Sequence, residues 1–149
     1  MAVLKVKGHS MSSLREHICT RLATVQVETD PLVRLLRDVE GTPPQSFIDY
    51  HQKNPNPAAV LVGLVERPTG LTVLFTERSA HLKDHPGQVS FPGGRIEKHD
   101  AGPVEAALRE AEEEVGLDSK HVSVAGRLER LPTSSGFVVT PVVAFISSE

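Results

Sequence analysis

Cysteine is almost missing from this chain of 149 residues: Cys19 stands alone. No internal disulfide can form, which excludes a stapled secreted mini-domain and fits a reducing compartment. Long hydrophobic runs are missing too. Ala58–Val65 and Val138–Phe145 are the longest apolar stretches, far short of the roughly 20 residues of a membrane span. The opening MAVLKVKGHS holds no apolar run suited to a signal peptide. Charge of one sign is also lacking. Lys and Arg number 16 against 19 Asp and Glu, for a net charge of −3, and no basic block supplies the footprint of a nucleic-acid binder. His9, His17, His51, His81, His99 and His121 show no zinc-type spacing, and no Gly-x-Ser-x-Gly elbow occurs. What remains is one globular unit with an ordinary composition, expected to be soluble and cytoplasmic.

The first third reads as helical. Ser13-Leu14-Arg15-Glu16 has the form of a capping box, and Leu14, Ile18, Leu22 and Val25 share one face. Asp30-Pro31 then predicts a second helix start, with Leu32, Leu35, Leu36 and Val39 as its stripe and Gly41 as its stop. Residues 42–57 carry Pro43, Pro44, Pro55 and Pro57 and read as a surface linker. The expected division is therefore a helical preface with a proline-rich linker over 1–57 and the main domain over 58–149.

From Ala58 the pattern changes. Ala58–Glu66 and Leu71–Glu77 are short β-branched runs around Arg67-Pro68-Thr69-Gly70, which predicts a hairpin. Gln88–Phe91 is a further short strand. Val104–Val115 is the clearest helix, closed by Gly116, and Val122–Leu131 and Phe137–Ile146 read as two more strands. Strands, one helix and strands again make a mixed α/β (α+β) domain.

That helix carries the chemistry. Val104, Ala107, Leu108, Ala111 and Val115 form one apolar stripe. Glu105, Arg109 and Glu112 lie on one flank, and Glu110, Glu113 and Glu114 converge on the other. Like charges at such spacings cost a helix roughly 0.2–0.5 kcal/mol each, and these sit in the half where the helix dipole disfavours anions. A hard divalent cation would reverse that penalty. Glutamate runs on exposed helices are common, so the helix alone does not decide. The preceding Gly87-Gln88-Val89-Ser90-Phe91-Pro92-Gly93-Gly94 adds a glycine pair that allows close approach of a ligand to backbone amides.

Gly94 through Leu117, ending Arg109-Glu110-Ala111-Glu112-Glu113-Glu114-Val115-Gly116-Leu117, resembles the Nudix box, G-x5-E-x7-R-E-U-x-E-E-x-G-U with U apolar. The second half matches throughout. In the first half Asp100 takes the place of the first Glu, and Gly94 to Arg109 spans one residue more than the usual box. Leu74–Gly94 resembles the extra motif of the coenzyme A diphosphatase subgroup, with Lys83 where that motif usually has Arg. Lys keeps the charge but loses the bidentate fork.

The resemblance implies an α/β/α sandwich with a mixed sheet. It also implies hydrolysis of the diphosphate of coenzyme A or a derivative, with Mg²⁺ or Mn²⁺, to 3′,5′-ADP and 4′-phosphopantetheine. Glu110, Glu113 and Glu114 are then the metal ligands, Arg109 orients a glutamate, and Glu113 or Glu110 is a candidate base. Arg78, Ser79, Lys83, His85, Gly93 and Gly94 are the candidate substrate-binding residues. Another nucleoside diphosphate such as ADP-ribose, or a non-catalytic binding role, stands as the alternative. The resemblance further implies a C-terminal helix over the second sheet face, which the ending Ile146-Ser147-Ser148-Glu149 leaves out. A truncated form, the N-terminal helices or a second subunit in a homodimer is expected to account for that face.

Overall fold

The computed structural model describes residues 3–4, 10–25, 30, 32–33, 40–77 and 87–147. Two long strands, β2 (Asn56–Arg67) and β9 (Phe137–Ile146), form its spine. They run parallel in unbroken register from Asn56↔Phe137 to Val65↔Ile146. Their length lets each carry two partners end to end on its outer edge. On β2, β3 (Gly70–Val73) pairs with the C-terminal half and β6 (Gly93–Arg95) with the N-terminal half. On β9, β7 (Val122–Arg127) and β8 (Leu131–Pro132) divide the edge in the same way. With β1 (Val3–Leu4) beside β3, these make a seven-stranded mixed sheet. Arg67 and Gly70 pair across Pro68-Thr69, the expected hairpin, and Gly70 takes the positive φ of 131° that closes it.

Alternation along the strands splits the core in two. Ala59 and Leu61 of β2 and Val142, Ala144 and Ile146 of β9 face the helix α3 (Pro103–Val115). That helix presents Ala106, Ala107 and Ala111, all fully buried. Small side chains at these positions let the helix lie close to the sheet. Pro103 opens it at a position that needs no amide donor, and Gly116 closes it with φ 67° in the left-handed region.

On the opposite face lies α1 (Met11–Ala23). Its Arg15 guanidinium sits 4.4 Å from the Phe145 ring centroid and donates to Glu66 and Ser123, each at 2.9 Å. Leu22 packs where Gly126 of β7 has no Cβ. Helix, sheet and helix are thus stacked, as expected, and an N-terminal helix lies on the second face.

Three local expectations need correction. The cap of α1 is Ser10, which accepts from the Ser13 amide at 3.2 Å, so Ser13 lies inside the first turn. The expected linker contains α2 (Gln45–Lys53). Its prolines flank the helix rather than interrupt it: Pro44 is the N-cap, Asn54 the C-cap, and a Gln45–Asp49 hydrogen bond of 2.7 Å braces the turn between. The run Leu71–Glu77 is broken at Leu74-Phe75, and β4 (Thr76–Glu77) leaves the main sheet to pair with β5 (Val89–Ser90). Of the second predicted helix only Leu32 and Val33 are described, with the Asp30 carboxylate accepting from the Leu32 amide at 2.9 Å. Leu35, Leu36 and Val39 lie outside the described residues.

Leu61 is fully buried between the sheet and α3. Leu61→Ala is expected to lower unfolding free energy by about 2–5 kcal/mol, read as a lower midpoint in urea at an unchanged slope.

Candidate active site

Arg109 organises the site. Its Nε and Nη2 donate to the two oxygens of Asp100, both at 3.1 Å, and Nη2 also donates to the Arg95 carbonyl at 3.1 Å. Nη1 donates to Glu110 at 3.0 Å and reaches Glu113 at 3.4 Å. A guanidinium has five N–H groups, and every one has a partner here. The arrangement grades from inside to outside. The Asp100 side chain has 0% exposure, Glu110 17% and Glu113 60%. The buried carboxylate anchors the fork, and the free side of the fork holds the two glutamates.

Asp100 is itself fixed by the loop that bears it. It accepts from the Glu97 amide at 2.7 Å, while its own amide donates to the Glu97 carbonyl at 3.1 Å. The Arg109 hydrogen bonds, and after them the Glu97 amide, hold the Asp100 carboxyl below its ordinary value of 3.8. The same pairing with Asp100 raises Arg109 further above its already high value, so it stays charged.

The glycine pair lies against this cluster. The Glu114 carboxylate accepts from the Gly93 amide at 3.3 Å. A Cβ on Gly94 would fall on the Glu110 carboxylate, whereas a Cβ on Gly93 would strike the Ala59 carbonyl and Val60 of the paired strand. Gly94 therefore makes room for a functional group, and Gly93 makes room for the sheet.

Residues 78–86, with Arg78, Ser79, Lys83 and His85, lie outside the described residues. The residues that flank that segment are described. Thr76 pairs with Ser90 and Glu77 with Val89, Thr76 Oγ1 donates to the Ser90 carbonyl at 3.2 Å, and the Phe75 and Phe91 rings lie 4.8 Å apart. The two flanking stretches are thereby tied together three residues before Gly93.

The donor set suits a hard divalent cation: three carboxylates on one helix beside a glycine strand that leaves space for one of them. As placed, they turn toward Arg109 and the Gly93 amide, and no three His, Cys, Asp or Glu side chains among the described residues converge on one metal-sized point. Loading a cation would require the carboxylates to turn from these partners. The expected two flanks of α3 also need revision. Arg109 bridges to Glu110 and Glu113 across the helix surface, and Glu105 instead accepts from the Ala101 amide at 2.5 Å in the first turn. Asp100 had no assigned role from sequence; the signal for it was its place in the motif.

A second feature is a cavity of about 850 Å³ on the α3 side of the sheet, beyond the start of that helix. Its wall includes His51, which sequence spacing had set aside.

The model of the NUDIX domain family matches residues 55–147. The chain is 50% identical over 93 residues to a Yersinia enterocolitica protein named "Uncharacterized Nudix hydrolase NudL", covering 62% of this chain and 47% of that one. It is 48% identical over 106 residues to the protein of the same name from Pectobacterium atrosepticum, covering 71% and 54%. The chain thus spans about half the length of the curated relatives it matches. Among solved structures, the Nudix hydrolase RenU of M. Smegmatis aligns with a TM-score of 0.53 at 25% identity over 63% of each chain. A C. elegans Ap4A hydrolase aligns at 0.52 and 20% identity over 62% of this chain and 67% of that one, a likeness of fold.

Two outcomes follow from this geometry. Asp100→Asn is expected to cut activity on a diphosphate substrate roughly 10–100-fold, the usual effect of losing a group that orients a ligand-bearing side chain. Because the folded carboxyl titrates below 3.8, the stability difference between wild type and this variant should be full above that pH. It should shrink as pH falls through the lower folded value; urea midpoints between pH 2 and 6 check this. Gly94→Ala is expected to keep its stability within about 1 kcal/mol while displacing Glu110 and losing activity. Gly93→Ala should instead unfold at markedly lower urea.

Proposed function

The chain belongs to the Nudix family, and from that membership we propose that it is a metal-dependent diphosphatase acting on coenzyme A or a derivative, releasing 3′,5′-ADP and 4′-phosphopantetheine. The observation that carries the hydrolase reading is the Arg109 fork, anchored on buried Asp100 and holding Glu110 and Glu113 beside Gly94. The relatives named as Nudix hydrolases support the same reaction class. The substrate reading rests on the likeness of Leu74–Gly94 to the coenzyme A diphosphatase motif, whose two ends the β4–β5 pair ties next to the glycine strand.

Glu110, Glu113 and Glu114 would hold Mg²⁺ or Mn²⁺. When bound, such a cation neutralises diphosphate charge and lowers the pKa of a bound water. The chain's own residues do the rest. Asp100 fixes the guanidinium plane, so Arg109 presents one face to Glu110 and Glu113 and keeps their carboxylates from drifting apart. Glu113, the most exposed of the three groups about that fork, is the side chain best placed to take a proton from an attacking water. Glu110 is the other candidate, and its contact with the space above Gly94 suits it better to holding than to proton transfer. Arg78, Lys83 and His85 would meet the anionic phosphates of the substrate, where charge-assisted bonds are strongest.

The test is turnover of coenzyme A by the purified chain with Mg²⁺ or Mn²⁺, products resolved by chromatography. Release of 3′,5′-ADP and phosphopantetheine, reduced at least about 100-fold in Glu114→Gln, is the expected result. A folded chain that leaves coenzyme A intact but cleaves ADP-ribose would overturn the substrate assignment.

A further inference from the structure

The strand β6 has two edges, and the sheet takes only one of them. The Leu61 amide donates to the Pro92 carbonyl at 2.8 Å, and the Ile96 amide donates to the Pro57 carbonyl at 3.1 Å. Main-chain groups alternate in direction along an antiparallel strand. Gly94 therefore turns inward with Pro92 and Ile96, toward its partner Ala59. Gly93 and Arg95 turn their amides and carbonyls outward, where no strand pairs among the described residues. The helix meets β6 on that outer edge: Glu114 accepts from the Gly93 amide at 3.3 Å, and Arg109 donates to the Arg95 carbonyl at 3.1 Å. A ligand held by the carboxylates of α3 thus lies against the outer edge of β6.

Arg95 brings an unmatched charge to the same edge. Side chains alternate across a strand, so Arg95 projects to the face opposite Gly94 and Glu110. Its side chain is exposed, and its guanidinium lies 5.3 Å from the Phe137 ring centroid, within the range of a cation–π contact. A ring takes no ordinary hydrogen bond, so the five N–H donors stay open. No carboxylate or carbonyl meets them among the described residues. Arg109, the other arginine of the site, has every donor occupied. A guanidinium rested on an aromatic ring with its donors free is held ready for an anion.

We infer that Arg95 determines specificity by binding a phosphate monoester that the substrate carries in addition to its diphosphate. The diphosphate itself lies on the other face, among Glu110, Glu113 and Glu114, where a cation meets its charge. The anion at Arg95 is a second one, brought round the free edge of β6 by the same molecule. This inference rests on the coenzyme A reading above, and there the group is the 3′-phosphate of the nucleotide half. A phosphate monoester carries about two negative charges and three acceptor oxygens, which suits a fork with no edge yet taken.

The probes are 3′,5′-ADP and 5′-AMP, titrated calorimetrically into the full chain with Mg²⁺. Neither holds a diphosphate linkage, so binding is read without turnover. The chain is expected to bind 3′,5′-ADP roughly tenfold tighter than AMP. Arg95→Gln, a change at an exposed side chain that keeps the fold, should abolish that preference by weakening 3′,5′-ADP alone. Arg95→Lys should retain part of it, since it keeps the charge and loses the fork. Arg67→Gln removes another exposed arginine, at the β2–β3 turn, and should change neither ligand. The inference falls if the folded wild type binds neither probe or binds both alike, if Arg95→Gln weakens both equally, or if Arg67→Gln has the same effect. Cleavage of coenzyme A without an Arg95-dependent preference would remove this inference and leave the diphosphatase reading standing. An Arg95-dependent preference in a chain that leaves coenzyme A intact would do the reverse.

Discussion

Everything in the site depends on the bidentate pairing of Arg109 with Asp100. A guanidinium on a helix surface is mobile, and three glutamates within one turn of it repel one another. Giving one edge of the fork to a fully buried carboxylate removes that freedom. The opposite edge then becomes a fixed positive surface for Glu110 and Glu113. Lysine could supply the charge but not the plane, since its ammonium has no second edge to hold while the first is occupied.

The sheet gives that pairing its setting. The ten-residue parallel register of β2 and β9 is long enough for two edge strands on each side. Because β6 takes the N-terminal half of β2 and β3 takes the other, the glycine pair comes to lie beside α3 instead of at a hairpin end. The alanines of α3 bring the helix near enough for Glu114 to reach the Gly93 amide and for Glu110 to fill the space above Gly94. Close helix–sheet packing and the reach of the carboxylates are one property of the same side chains.

Much of this was legible in sequence, and the exceptions share a cause. The strands around Ala58 and Phe137, the helix at 104–115 and its glycine stop are strong local patterns, and each stands where the pattern puts it. The glutamate–glycine association was readable from order along the chain. The helix Gln45–Lys53 was not, because prolines on both sides carry the signal of a linker, and only capping geometry shows that they flank a helix. Asp100 was invisible as an anchor because its value comes from burial, and burial arises from a loop that folds back on Glu97. His51 was invisible for the same reason: its orphaned acceptor exists only once Thr133, far along the chain, has taken the other ring nitrogen.

These exceptions explain how charge is arranged around the helix. A cluster of carboxylates near one cation carries surplus negative charge, and the structure places its members by solvent access. Asp100, out of solvent, has two guanidinium bonds and a backbone amide, so its charge is met by partners. Glu113, mostly in solvent, has the longest contact with Arg109 and the least reason to keep it. Glu110 lies between, one oxygen on Arg109 and its carboxylate over Gly94. The carboxylate most easily released from the arginine is thus the one nearest bulk water, and the one most firmly held never needs to move. On the diphosphatase reading proposed above, a site that accepts a hard cation and then releases charged products gains from that order. The rigid end preserves the geometry between turnovers, while the loose end supplies ligands without first breaking a buried pair.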